Sequence, residues 1–265
     1  MLAWASPDPT AMDWQYRATA NGGLTHNLHR DAADRLCKSL DSTGLTSRMI
    51  EIYAFLGDNI PAVCTKLFYS AVGSSQFAAS ANWISGNILA FGGLKDAANT
   101  SKKINTNFTL STALAGKESL TGMHWYTRDT AASGTSQVAV GSSSTGNIMI
   151  GGWVFSGAKE SGYIAGTNNY ALGTSVSAIG LHSVCNFGVR TPQYFLNGVA
   201  MGAAGAAGTG VWGTGTGTTY LFGNPTTTYW KRDLLFVAFT VGLTATEALT
   251  HTQVCKQFQQ FLNRA

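Results

Sequence analysis

The stretch Gln193-Tyr194-Phe195-Leu196-Asn197-Gly198-Val199 decides the class of the fold. Two apolar runs meet at Asn197-Gly198. Both residues of a two-residue hairpin loop must tolerate positive φ, which Asn and Gly do at least cost. A hairpin is predicted here, opening a segment (190–240) that crosses a low-complexity tract, 202–218. It continues through Tyr220-Leu221-Phe222-Gly223-Asn224 and closes on Asp233-Leu234-Leu235-Phe236-Val237-Ala238-Phe239-Thr240. Upstream, from about residue 70, short apolar runs recur between Gly, Ser and Asn clusters: 82–91, 104–110, 120–127, 137–140, 148–155, 162–165 and 176–186. Strands at that spacing with polar turns predict a mainly β chain, a sandwich or jelly roll. Met123, Trp125 and Thr127 alternate with His124 and Tyr126, the pattern of a strand with one buried face.

The order "YFLNGV" (194–199), "YLFGN" (220–224), "LLFVAFTVGLTATEA" (234–248) resembles the last strands of concanavalin A-like (laminin-G/lectin-type) jelly rolls. In those folds an aromatic-x-Asn-Gly hairpin precedes a strand ending in Gly, and a final Phe-x-apolar strand leads into a Leu-Thr-x-x-Glu helix start. The resemblance implies a concanavalin A-like β-sandwich over 73–243. The segment ahead of it reads as helical. Asp8-Pro9 or Thr10 starts a first helix ended by Asn21-Gly22-Gly23. Leu28, Ala32, Leu36 and Leu40 give a second, from about residue 27 to 42, one apolar face. Met49, Ile50, Tyr53 and Phe55 form a third apolar segment, and 60–68 a fourth with Pro61 in its first turn. The spaced residues Trp14, Arg17, Gly22-Gly23, Gly44-Leu45 and Arg48 to Asn59 resemble a segment found ahead of lectin-like domains in bacteriophage structural proteins. Thr244 and Glu247 form a capping box that starts a C-terminal helix carrying Val254, Phe258, Phe261 and Leu262 on one face. The expected organisation is a helical module (1–72) for attachment or oligomer contacts, a sandwich (73–243) and a C-terminal helix (244–265).

Charged residues are only 11% of the chain, against about 25% in an average soluble protein. They are unevenly spread: twelve fall in 1–60, whereas Arg190 is the only one in 161–230. A stretch so poor in charge suits packing against neighbours or a Thr, Ser and Asn surface. The net charge of +4 has no Lys/Arg cluster larger than Lys102-Lys103 or Lys231-Arg232, so nucleic acid is not a predicted partner. Cys37, Cys64, Cys185 and Cys255 are too widely spaced for zinc patterns or a disulfide framework and read as buried thiols. The N-terminus has no basic segment followed by an apolar core, so a secretory signal is not predicted, and no run is long enough to insert in a membrane.

Glycoside hydrolysis needs two carboxylates about 5–10 Å apart. The catalytic members of the resembling superfamily carry Glu-x-Asp-x-(x)-Glu on one strand, a motif this chain lacks. Its acids after residue 60 (Asp96, Glu118, Asp129, Glu160, Asp233, Glu247) are well separated in sequence, so the chain is expected not to be an enzyme. Gly208, Gly210 and Gly213 match Gly-x-Gly-x-x-Gly, but Gly-Ala and Gly-Thr repeats flank them instead of a strand and a helix. His26 and His29 beside Asp31 suit a helix start better than a metal, and no metal or other cofactor is expected. Calcium is the one candidate cation, with Asp129, Asn168, Asn169 and Asn224 as loop oxygen donors.

Glycan contact calls for aromatic platforms with neutral amides and hydroxyls. Trp212, Tyr229, Trp230 and Asn224 are the candidate carbohydrate-binding residues; Trp153 and Tyr170 rank below them. Trp4, Trp14, Phe258 and Phe261 are the candidate assembly contacts. The leading expectation is a structural component of a bacteriophage virion: a decoration, tail or fibre-associated subunit, made in the host cytoplasm and assembled with other virion proteins and copies of itself. The alternative is a lectin-like carbohydrate-binding module acting in adhesion to cell-surface glycan.

Overall fold

The structure is a computed structural model and describes residues 6–69, 78–79, 83–89, 92–96, 102–109, 120–129, 139–142, 150–154, 160–163, 171–172, 179–187, 192–201, 218–223 and 232–264. The chain opens with α1 (Pro9–Ala20) and α2 (Asn27–Ser42), followed by β1 (Met49–Tyr53), α3 (Ile60–Val63), β2 (Phe68–Tyr69), β3 (Ala78–Ala79) and β4 (Leu94–Lys95). The middle strands are β5 (Ile104–Thr109), β6 (Thr121–Thr127), β7 (Val140–Ser142), β8 (Ile150–Val154), β9 (Glu160–Tyr163) and β10 (Ala171–Leu172). The chain ends with β11 (Gly180–Asn186), β12 (Pro192–Leu196), β13 (Val199–Ala200), β14 (Thr218–Leu221), β15 (Asp233–Leu234), β16 (Phe236–Val241) and α4 (Ala245–Phe261).

Local chemistry sets the element ends. The Asp8 carboxylate accepts from the amides of Thr10 (2.8 Å) and Ala11 (3.4 Å) with Pro9 in the first turn, which satisfies donors that a helix start leaves open. Thr244 and Glu247 form the predicted capping box: Glu247 N–H donates to Thr244 Oγ1 (3.2 Å) and Thr244 N–H to Glu247 Oε2 (2.7 Å). Asn197 (φ +51°) and Gly198 (φ +80°) make the turn between β12 and β13, as the Asn-Gly pair requires.

Two seven-stranded antiparallel sheets form the body. Sheet 1 runs β13-β12-β11-β6-β16-β1-β2 and sheet 2 runs β10-β9-β8-β7-β14-β5-β3. One core lies between them: Met123, Trp125, Val184, Tyr194, Val237 and Phe239 of sheet 1 meet Ile104, Phe108, Val140 and Leu221 of sheet 2. Phe108 and Phe239 stand 5.4 Å apart, ring to ring. A second core lies on the other side of sheet 1, where Tyr126, Leu181, Cys185, Phe236 and Ala238 meet Trp14, Leu36, Leu40, Val254 and Phe258 of the helices. The alternation Phe236, Ala238 against Val237, Phe239 therefore feeds two cores, and every residue of β6 and β11 is buried.

That arrangement corrects several expectations. β6 was read as having one wet face; the helices cover that face. Met49–Tyr53, assigned to the helical module, is a strand of sheet 1 between β16 and β2. All five of its residues are buried, Glu51 included, because both faces of the strand are covered. Of 60–68 only Ile60–Val63 is helical. The run 82–91 contains a 3₁₀ turn, Ser85–Asn87, where a strand was expected.

Sheet 1 also carries buried charge. The Glu51–Lys66 pair is 2.8 Å apart with neither side chain exposed, and the Tyr53 hydroxyl donates to the same carboxylate. Burial pushes Glu51 up and Lys66 down, and their mutual attraction opposes both shifts. Arg264, fully buried, donates to the carbonyls of Ala54 (3.3 Å), Phe55 (3.1 Å) and Leu235 (3.1 Å). Desolvation lowers its guanidinium to about 9. The four cysteines are buried and free, with Cys64 and Cys185 raised to about 12 by burial.

Candidate functional site

With α1, α2 and α4 on sheet 1, the outer face of sheet 2 is the one that no described helix covers. Side chains on that face are described on β5 and β14. Along β5 burial alternates residue by residue: Lys102, Ile104, Thr106 and Phe108 point inward, and Lys103, Asn105 and Asn107 outward. On β14, Thr219 and Leu221 are buried and Thr218 and Tyr220 are half-buried. Tyr220 pairs with Asn105 on one side and with Gly141 of β7 on the other. The ring thus has an amide on one flank and a residue without a side chain on the other.

Asn107 lies at φ +54°. Its amide N–H donates to Asn105 Oδ1 at 2.8 Å, a local bond of the kind that lets Asn occupy left-handed backbone. Among the described residues, the Asn105 amide nitrogen, the Asn107 side chain and the Tyr220 hydroxyl have no hydrogen-bond partner. The Lys103 ammonium sits 5.2 Å from the Tyr220 ring centroid. At an exposed site such a contact is worth about 0.5–1 kcal/mol, so a ligand displaces it easily. The patch combines an apolar ring face with unused donors and acceptors, the combination needed to bind a flat polar ligand that has one apolar side.

Trp212, Asn224, Tyr229 and Trp230, the residues singled out for glycan contact, lie outside the described residues, as do Tyr170, the glycine triplet 208–213 and Trp4; the Trp153 side chain is likewise not described. Trp14 is fully buried, its indole N–H donating to Thr65 O at 3.3 Å. Phe258 is buried against Phe236, 6.2 Å ring to ring. Phe261 is half-buried under the Arg35 guanidinium at 4.4 Å. These aromatics pack within the chain.

The acids are less scattered in space than in sequence. Asp233 accepts from Thr127 Oγ1 (2.7 Å) and from the amides of Arg128 (2.8 Å) and Asp129 (3.2 Å). Its own amide donates to Asp129 Oδ2 at 3.2 Å. Lys95 pairs with Asp129 and the Arg128 guanidinium lies 3.6 Å from Asp233. Asp129, a calcium donor in the sequence reading, is thus already paired; Asn168, Asn169 and Asn224 lie outside the described residues. His26 and His29 do converge on a carboxylate, but it is Asp58. Asp31 faces Arg30 instead.

No family model matches the sequence, and no curated protein matches it. Solved structures do. The chain matches domain 4 of AbnA, a GH43 extracellular arabinanase from Geobacillus stearothermophilus in complex with arabinotriose, at 10% identity, over 76% of this chain and 97% of that one, with a TM-score of 0.46. It matches a Trypanosoma rangeli sialidase mutant displaying trans-sialidase activity at 11% identity, over 94% of this chain and 38% of that one, TM-score 0.47. The NanB sialidase from Streptococcus pneumoniae matches at 11% identity over 60% and 27%, TM-score 0.44. The chain spans well under half the length of these sialidases. Enzymes are among the matched structures, and the expectation that the chain is not an enzyme is not retained.

Sequence reasoning passed over Tyr220, Asn105 and Asn107 as a group. A weak signal was available in Ile104 to Phe108, where the amides of Asn105 and Asn107 alternate with Ile104, Thr106 and Phe108. Asp58 carried no such signal, because only the tertiary fold brings it to His26.

Proposed function

We propose that this chain binds carbohydrate, in the manner of a concanavalin A-like (laminin-G/lectin-type) module, with the glycan lying across the outer face of sheet 2. The observation that carries the reading is the half-buried Tyr220 ring beside the Asn105 and Asn107 side-chain amides on a face that no described helix covers. The ring stacks on the apolar face of a sugar, and the amides and the Tyr220 hydroxyl bond its hydroxyls. Trp212, Asn224, Tyr229 and Trp230, which lie within ten residues of β14 in sequence, remain candidate contacts for the same glycan. A glycan array with the purified chain tests this. Binding is expected to at least one neutral glycan, and Tyr220→Ala is expected to weaken it about thirty-fold, the effect of losing about 2 kcal/mol at a central aromatic contact. An array without hits, or equal binding by Tyr220→Ala and the unchanged protein, counts against it.

A second reading, motivated by the segment 161–230 with its single charge, is that the module is carried on a larger particle, a bacteriophage virion, and presents sheet 2 to host surface glycan. Light scattering over a concentration series checks it, with a closed oligomer as the expected outcome and a monomer at every concentration as the opposing one.

A further inference from the structure

We propose that His26, His29 and Asp58 form a binding site for a divalent transition-metal ion of the zinc class, independent of the glycan face. His26 Nε2 lies 3.4 Å and His29 Nδ1 3.8 Å from Asp58 Oδ1, and all three atoms fall within 4.8 Å of one another. A tetrahedral ion with bonds of about 2.0–2.1 Å holds its ligand atoms about 3.4 Å apart. Small side-chain rotations close the remaining gap. Two imidazoles and one carboxylate suit zinc, cobalt or nickel, and are a poor set for calcium, which takes six or more oxygens.

The surroundings hold the three groups in place. Asp58 N–H donates to Leu24 O at 2.9 Å, Leu24 N–H to Asn59 Oδ1 at 2.9 Å, and Asn59 Nδ2 to Gly22 O at 2.9 Å. These bonds stitch the loop carrying Asp58 to the one leading into His26. The His29 side chain is 1% exposed, which fixes its rotamer, and the two imidazoles stack at 4.1 Å. The His26 and Asp58 side chains are 49% and 41% exposed, so the fourth coordination position opens to water. The site lies at the start of α2, where the helix dipole opposes a cation, and the Asp58 carboxylate offsets it. One bond changes on binding. His26 Nδ1 now accepts from Leu28 N–H at 3.2 Å, which places the ring proton on Nε2. The ion takes Nε2, the proton moves to Nδ1, and the cap on α2 is released.

Tag-free protein stripped with chelator is titrated with Co²⁺ followed by visible absorption, and with Zn²⁺ by calorimetry and thermal melting. One ion per chain is expected, with a Co²⁺ spectrum of low coordination number and a rise in Tm on Zn²⁺ addition. His26→Asn keeps a good helix cap and Asp58→Asn keeps the side-chain shape; each is expected to weaken binding by more than about a hundredfold, beyond the roughly 10–100-fold cost of an outer-sphere change. No stoichiometric binding by the unchanged protein overturns the proposal, as does binding by both variants that is as tight as that of the unchanged protein. The unchanged protein's Co²⁺ spectrum decides the matter even where a variant folds poorly, and none of these readouts depends on glycan binding.

Discussion

Acidification is expected to unfasten α4 from sheet 1 through His251. This imidazole is fully buried in the second core, 4.4 Å from the His124 ring and 3.5 Å from Cys255 Sγ, and its Nδ1 has no hydrogen-bond partner. Desolvation lowers it from 6.5 to about 4. His124, bonded to Ser183 Oγ and Thr240 Oγ1, is likewise lowered by burial and then by His251. A group depressed in the folded state contributes full stability above its unfolded value and loses it as pH falls, because the unfolded chain takes up the proton first. For His251 alone the loss is about 2 kcal/mol at pH 5 and about 3 kcal/mol at pH 4 relative to neutral pH. His251→Leu removes the titration and an unsatisfied nitrogen together. Urea unfolding of both proteins from pH 7 to 4.5 reads the effect, together with the relief that removing His251 gives His124. The variant is expected to match or exceed the unchanged protein at pH 7 and to gain on it by about 2 kcal/mol at pH 5. A stability difference that stays flat across that range would refute the reasoning.

Lys66→Met leaves the Glu51 carboxylate buried without its cation, and a loss of about 3–5 kcal/mol is expected in denaturant titration; the double variant Glu51→Gln/Lys66→Met should recover most of it. Thr244→Ala removes one half of the capping box at α4 and should cost about 1 kcal/mol, read as a lower urea midpoint with unchanged slope.

The helices were the most legible part of the sequence. Asp8-Pro9, the four-residue apolar spacing of α2 and Thr244–Glu247 each act within a turn or two, so local pattern suffices. The Asn197-Gly198 hairpin was legible for the same reason. Met49–Tyr53 was not, because a strand between two cores has no alternation to show. Nor was the fate of Trp14 and Phe258, since apolar helix faces read alike whether they cover their own sheet or a partner. Asp129 with Asp233, and Asp58 with the two histidines, are meetings made by strand order and loop stitching across long stretches of chain. The patch on sheet 2 was half legible: the alternation through Asn105 and Asn107 is in the sequence, but which sheet the described helices cover is not.

The place of β1 has a consequence for how the protein is made. Its neighbour β16 pairs Met49 with Thr240, and β16 also supplies the edge on which β6 rests. During synthesis the first strand of sheet 1 therefore lacks its β16 partner until residues 236–241 have been made. Pairing across such sequence separations is slow and leaves the intermediate prone to association. The chain is thus expected to depend on chaperone holding more than its size suggests, and refolding yields should fall steeply with protein concentration.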